Sequence, residues 1–432
     1  MLINIDDSAS KKIYMCILAG LLGLSLVSCG ATAWLWRSEV KSTDKASANA
    51  IDVNDNGEIF DAFSIGNANY LRKLGPDGME RWRQPLGNAV GGIGLNLVKV
   101  YAQGALVVNR TAQPTMLQKL DANGHIEWEK NIQLAGANIG AQTITEDSAQ
   151  LIHLGAADNS GAYDLVYDAA GNQIRSVKLG SKPNTTVQIA EVGQYGVVTL
   201  IGESYGFAHL DYTLQFENLN GKISWILPID SSIPYPRTLS VGNDNSIFVY
   251  SVTQISQVDI GGNLVWSGDG FSNITQLTSD QAGNIYYANS EQYQNGEIAK
   301  LSANHEPVFS IKINPTGTVS IQEFSLAKND TRIIAKLTEE DGLLAGSVTR
   351  TNSVQVLNAT NGQVLVTHVG KSAVFPQSCM PIQICISNPN YYVSGDSFYQ
   401  VKSIQNNKVI VNGETTAGNG PVTEFVTAYA LP

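Results

Sequence analysis

Three stretches of the chain, and its five scattered histidines, offer residue types that could do chemistry. "GESYG", Gly202 to Gly206, has the G-x-S-x-G spacing with which serine hydrolases expose a nucleophile. That elbow needs a strand-to-helix turn. Here the flanks "VVTLI" and "FAHLDYTLQF" both read as strands, and His209 stands too close to serve as a downstream base, so a β-turn is expected. "DVNDNGEIFD", Asp52 to Asp61, opens like a calcium loop, in which alternating oxygens wrap a hard cation. Its twelfth position is Phe63 instead of a bidentate Glu, which favours a polar turn. "SCMPIQIC" holds Cys379 and Cys385 with no His or further Cys nearby to complete a metal site, and the pair is expected to be a disulfide. The five histidines, 125, 153, 209, 305 and 368, share no ligand spacing. No catalytic residue, metal ligand or cofactor-binding residue is expected.

Positioning any such group falls to a repeat. "KLGPDGMERWRQ", "KLDANGHIEWEK", "VYDAAGNQIRSV", "FENLNGKISWIL", "QVDIGGNLVWSG" and "VLNATNGQVLVT" share an outline of apolar residue, Asp or a substitute, and Gly, with Trp four residues on in four of the six. The glycines are Gly78, Gly124, Gly171, Gly221 and Gly262, with His305 and Gly362 at the equivalent place of two looser copies. Four residues on stand Trp82, Trp128, Arg175, Trp225, Trp266, Phe309 and Val366. Asp or Asn with Gly supplies the positive φ of a tight hairpin. A Trp on a lone hairpin has nothing to cover it, whereas a neighbouring copy can cover it. A polar turn followed by a short apolar strand precedes each hairpin, as in "NDNGEIFDAF" and "QAGNIYYANS".

Four short strands per unit of about 40–50 residues predict an all-β chain folded as a β-propeller. Residues 51–432 accommodate about eight blades; seven with an appended hairpin is the alternative. The last unit carries an insertion near 370–403, and "VTEFVTAYALP" supplies its last strand. Ring closure calls for a strand from the N-terminal side, which removes the open edges. The regular place of Trp82, Trp128, Trp225 and Trp266 points to blade packing and not to a sugar-stacking platform.

Charged residues are only 15 % of the chain and its net charge is −11, with no basic cluster beyond the N-terminus. Phosphate backbones need clustered Lys and Arg, so nucleic acid is excluded as a partner. The N-terminus reads as an address. Lys11 and Lys12 precede an apolar run, Ile13 to Val27, of 15 residues, short of the roughly 20 that span a bilayer. Leu26-Val27-Ser28-Cys29 resembles a bacterial lipobox, which makes 1–28 a lipoprotein signal peptide and Cys29 the lipidated residue. Gly30 after the cysteine suggests the outer membrane. Residues 29–50 are small and polar and are expected to be a tether, with Trp34 and Trp36 at the lipid headgroups or one of them closing the fold.

The repeats resemble the tryptophan-docking motif of pyrroloquinoline-quinone-like propellers, on "KLDANGHIEWEK" and "VLNATNGQVLV" above all. Two kinds of protein carry it. The quinoprotein dehydrogenases use a vicinal disulfide and an Asp base beside calcium ligands, but five residues separate Cys379 from Cys385 and no such set is evident. The other is the non-enzymatic lipoprotein propeller of the outer-membrane barrel-assembly machinery. The resemblance therefore implies a non-catalytic scaffold binding envelope proteins, with that machinery as the expected partner, and held to the outer membrane by its lipid. An envelope carbohydrate-binding or hydrolytic propeller with an axial site is the rival expectation.

Overall fold

In a computed structural model, strands pair in sequence order into repeated four-stranded antiparallel sheets. The structure describes residues 35–430 except 41, 43, 89–96, 102–103, 111–114, 135–136, 139, 159, 183–184, 205–209, 230–236, 291–295, 314–317, 328–329, 342–346, 371–372, 380–384, 388–394, 405–407 and 417–421. Eight such sheets form the blades of a β-propeller. Blade 1 comprises Ala46–Val53, Ile59–Ile65, Ala68–Leu74 and Glu80–Asn88. Blades 2 to 6 repeat that order, beginning at Leu97, Gly140, Thr186, Thr238 and Ile274. Blade 7 runs Thr318–Leu326, Arg332–Asp341, Ser347–Asn358 and Val364–Val369. Blade 8 takes Gly395–Ile404, Lys408–Thr416 and Thr423–Ala430 from the C-terminal end, and its outer strand, Trp36–Val40, from the N-terminal end.

Two boundaries read from the sequence move. The span 29–50 is not all tether, because Trp36–Val40 closes blade 8 and Ala46–Val53 opens blade 1. "ASANA" looks like linker, yet its small residues are buried in an inner strand hemmed by neighbouring blades. Likewise the insertion ends earlier than 403, since Gly395–Ile404 is the first strand of blade 8. Its leading part, Ala373–Cys379, pairs with Ser347–Arg350 and widens blade 7. Cys379 and Cys385 lie directly opposite each other in the hairpin that follows. Residues 1–28 and Cys29 lie outside the described residues. Among those described, no helix is long and apolar enough to cross a membrane.

The hairpin turns form as their sequences dictate. Asp121 Oδ1 accepts the backbone N–H groups of Asn123 and His125, at 2.8 and 2.9 Å. Gly124, with φ of 85°, completes the turn. Asp168, Asn218 and Asp259 accept the N–H four residues on in the same way. A local side-chain acceptor thus fixes the bend before any blade packs on it.

Between blades the core recurs as a quartet. At the first seam it is Phe60, Leu71 and Trp82 of blade 1 with Leu120 of blade 2. The same places hold Leu106, Leu117, Trp128 and Tyr167; Val198, Leu214, Trp225 and Val258; and Phe248, Ile255, Trp266 and Leu301. They hold Tyr286, Ile298, Phe309 and Leu357 at the sixth seam, and Ile334, Val354, Val366 and Tyr429 at the seventh. At the closing seam they hold Ile410, Val426, Trp36 and Leu74. Each fully buried apolar side chain contributes about 1.5–3 kcal/mol, so these seams hold the ring.

Candidate functional site

The repeat tryptophans form a girdle at five of the eight seams between blades. Trp82 Nε1 donates to Ala122 O at 2.9 Å, Trp128 Nε1 to Ala169 O at 3.0 Å and Trp225 Nε1 to Ile260 O at 2.9 Å. In each case the acceptor lies two residues before the repeat glycine. The ring lies flat on that glycine: a Cβ on Gly124 would stand 2.6 Å from Trp82. Gly78, Gly124, Gly171 and Gly262 are therefore needed twice, for positive φ and for this approach, while Gly221 lies under the guanidinium of Arg175. Trp36 belongs to the set, donating to Pro76 O at 3.0 Å and covering Gly78. Its alternative role, closing the fold, is the one observed. His305 replaces a glycine at φ 66° and stacks on Trp266 at 4.4 Å.

At the axis the edges of the inner strands are covered by amides. Gln188 accepts from Leu239 N and donates to Arg237 O of the next blade. Gln276 does the same to Phe324 N and Gln322 O, and Gln400 accepts from Ile51 N at 2.8 Å across the closing seam. A primary amide mimics a peptide unit, so each glutamine pairs an otherwise open strand edge. In the sequence each is a lone glutamine in the inner strands "VQIAEV", "TQLTS" and "YQVKS", with no motif around it to mark the role.

Two half-buried carboxylates, Glu146 and Glu191, stand on the first strands of blades 3 and 4. Burial pushes both above the ordinary glutamate range; Lys99 opposes this, and Asp147 adds to it. A raised carboxyl favours the fold while protonated, and that contribution is lost as pH rises through its folded value. Replacing both by Gln should therefore raise the melting temperature at pH 8 by about 1–3 °C and leave it unchanged at pH 4. Thermal scans across that range check this.

One seam breaks the apolar rule. Between blades 3 and 4 the quartet is His153, Asp164, Arg175 and Glu217. His153 Nδ1 lies 3.0 Å from Asp164 Oδ2, and its Nε2 lies 3.5 Å from Asp147 Oδ2. Arg175 binds Glu217 and donates to Gly221 O at 2.8 Å. Burial opposes a charge on His153, but Asp147 and Asp164 outweigh it and lift its pKa to about 9. His153 and Arg175 gave no sign of this in the sequence, because the four residues are scattered over 65 positions and only the blade register unites them.

The other candidate motifs are accounted for locally. Asn54 Oδ1 accepts the N–H groups of Asn56 and Glu58, and Asp52 Oδ2 accepts Val100 N at 2.8 Å. The oxygens of the calcium-like stretch thus serve a turn and a blade contact. Gly202 to Ser204 ends a strand paired with Leu210–Tyr212, in a hairpin and not at a strand-to-helix elbow. Tyr205, Gly206 and His209 lie outside the described residues.

The fold defines a β-propeller protein. No known family pattern matches the chain, and no curated protein matches its sequence. Among solved structures, the WD40 domain of SCAP from fission yeast superimposes with a TM-score of 0.50 at 9% identity, over 91% of this chain and 98% of that one. The WD40 domain of Toxoplasma gondii coronin gives 0.43 at 9% identity, over 92% and 87%. A prolyl endopeptidase gives 0.48 at 10% identity over 95% of this chain, which matches 60% of the enzyme. These likenesses are of fold.

Proposed function

We propose that the chain is a non-catalytic propeller scaffold, lipidated at Cys29, that binds other proteins of the cell envelope. The observation that carries this is on the rim. Outer strands of consecutive blades expose Ile174, Ile223, Ile226, Leu264, Val265, Val308 and Val364. Each outer strand is also a sheet edge with half of its backbone groups open. An extended segment of a partner can add to such an edge by main-chain hydrogen bonds, with its side chains on the exposed aliphatics. The WD40-type likeness fits a protein-interaction role in general. The resemblance to the barrel-assembly propeller suggests that the partners are outer-membrane assembly proteins.

The test is affinity purification of the acylated protein from crosslinked membranes, with mass spectrometry of what co-purifies. Recovery of barrel-assembly proteins, lost with Cys29→Ala, supports the full reading. Recovery of other envelope proteins keeps the scaffold and replaces the partner. Consistent recovery of nothing overturns it. The opposed register of Cys379 and Cys385 supports the expected disulfide, because paired strand positions about 4.5–5.5 Å apart suit such a bridge. The exported protein should resist alkylation at both cysteines until reduced, as read by peptide mass; alkylation without reduction would refute the pairing.

A second reading, an axial small-ligand site, rests on Glu146 and Glu191 beside Lys99. Loss of a bound saccharide on Glu146→Gln, with rim binding intact, would favour it.

A further inference from the structure

The polar quartet between blades 3 and 4 is anomalous against seven apolar counterparts. Four positions that hold Phe, Leu, Trp and Leu at the first seam hold His, Asp, Arg and Glu here. Burying such groups costs several kcal/mol per ion unless geometry compensates, and well-packed apolar residues would serve a seam at least as well. The compensation is incomplete. His153 is 1% exposed and Asp164 is 3% exposed, yet Asp164 Oδ1 lacks a hydrogen-bond partner and His153 Nε2 has only the carboxylate of Asp147, at 3.5 Å. A set of ionisable groups retained where aliphatics suffice points to a ligand.

We propose that His153, Asp164 and Glu217 form a binding site for a divalent transition-metal ion, with zinc as the type, and that Arg175 is the cation that holds the site when metal is absent. One ligand atom from each of the three lies within 4.8 Å of the others, as ligands of one ion must. An imidazole with two carboxylates suits zinc or its first-row neighbours better than calcium or magnesium, which take oxygen alone. Asp147 supplies the outer support. Its Oδ1 is fixed by the N–H groups of Ala149 and Leu151, which leaves Oδ2 facing His153 Nε2. A metal-bound imidazole almost always points its other nitrogen at such a carboxylate. With Nε2 held in this way, Nδ1 is the ligand atom, on the side of Asp164.

Arg175 is the competitor for the site: its guanidinium binds Glu217 and stands 4.0 Å from Asp164 Oδ2, so a divalent ion that takes these carboxylates displaces it. The route out for Arg175 exists, because it sits on an outer strand with its side chain 26% exposed.

The experiment titrates zinc into the purified full-length protein by calorimetry, in buffers of different ionisation enthalpy, with Co²⁺ absorption as a second probe. One zinc per chain is expected, with proton release from His153. Arg175→Met should tighten binding by removing the competitor, and Arg175→Met with Glu217→Gln should lose it. Asp147→Asn should weaken it by about 10–100-fold. X-ray absorption of the wild-type zinc complex needs no variant to fold; one imidazole with oxygen neighbours at about 2.0–2.2 Å is expected. Two or more imidazoles in the shell, binding that survives the double variant, or no binding to wild type and Arg175→Met alike would each overturn the site.

Discussion

Replacing Arg72 by Met should destabilise the protein by about 3–5 kcal/mol, the cost of leaving a buried pair without its partner. Arg72 is fully buried where the chain's end meets its beginning. Its Nε donates to Asp61 Oδ2 at 2.8 Å and its Nη2 to both oxygens of Glu424, at 2.9 and 2.7 Å. Glu424 stands in the third strand of blade 8, so this guanidinium ties blade 8 to blade 1. One cation faces two carboxylates. Burial, reinforced by the charge of Asp61, drives Glu424 well above the usual carboxylate range, although Arg72 opposes it. Burial raises Asp61 as well.

The sign of the pH dependence follows. Glu424 favours the fold in its protonated form, and that contribution fades as pH rises through its folded value. Glu424→Gln, which mimics the protonated acid, should therefore cost little near neutrality and flatten the alkaline loss. Arg72→Met combined with Asp61→Leu and Glu424→Leu should recover most of the single variant's loss, because no charge is then stranded. Melting temperatures across pH 5–10 test the three variants. Equal losses in Arg72→Met and the triple variant would show that the packing, and not the stranded charge, matters.

The blade was legible because each repeat carries its turn and its docking residue within about a dozen positions. Asp121, Gly124 and Trp128 are enough to predict a hairpin and the need for a neighbour. What escaped was set by register across blades. Trp36 matches the girdle only when Gly78, 42 residues later, is known to lie beneath it. No Asp-x-x-Gly turn precedes Trp36 in the chain, because its own blade's third strand is at the far end. Glu217 looks like an ordinary strand residue until its place is compared with Leu120, Tyr167 and Val258. The axial glutamines are ordinary strand residues in composition. Their role depends on an N–H of another blade, as with Gln400 and Ile51. Ionic groups drawn from several strands leave no linear spacing, so the site between blades 3 and 4 had no motif to find.

Trp36→Ala should do more than its lost area suggests. A large aromatic deleted from packed surroundings costs about 3–5 kcal/mol, and Trp225→Ala should cost a similar amount. The consequences for the ring should differ. Trp225 sits on a strand joined by short turns to the rest of its blade. Trp36 sits on a strand that meets its blade without a short covalent turn, through hydrogen bonds to Glu424–Ala428, the Arg37 bond to Thr415 and the stack of Arg37 on Phe425 at 3.8 Å, and it docks on Pro76 and Gly78 of blade 1. Removing the dock frees one face of the strand, and no covalent neighbour in blade 8 holds it in place. Hydrogen exchange should then show Trp36–Val40 and Thr423–Ala430 losing protection together in Trp36→Ala, while Ile223–Ile229 stays protected in Trp225→Ala. Equal, local losses in both variants would mean that backbone pairing alone closes the ring. Coupled loss in the first variant would place the weakest joint of the propeller at its closing strand.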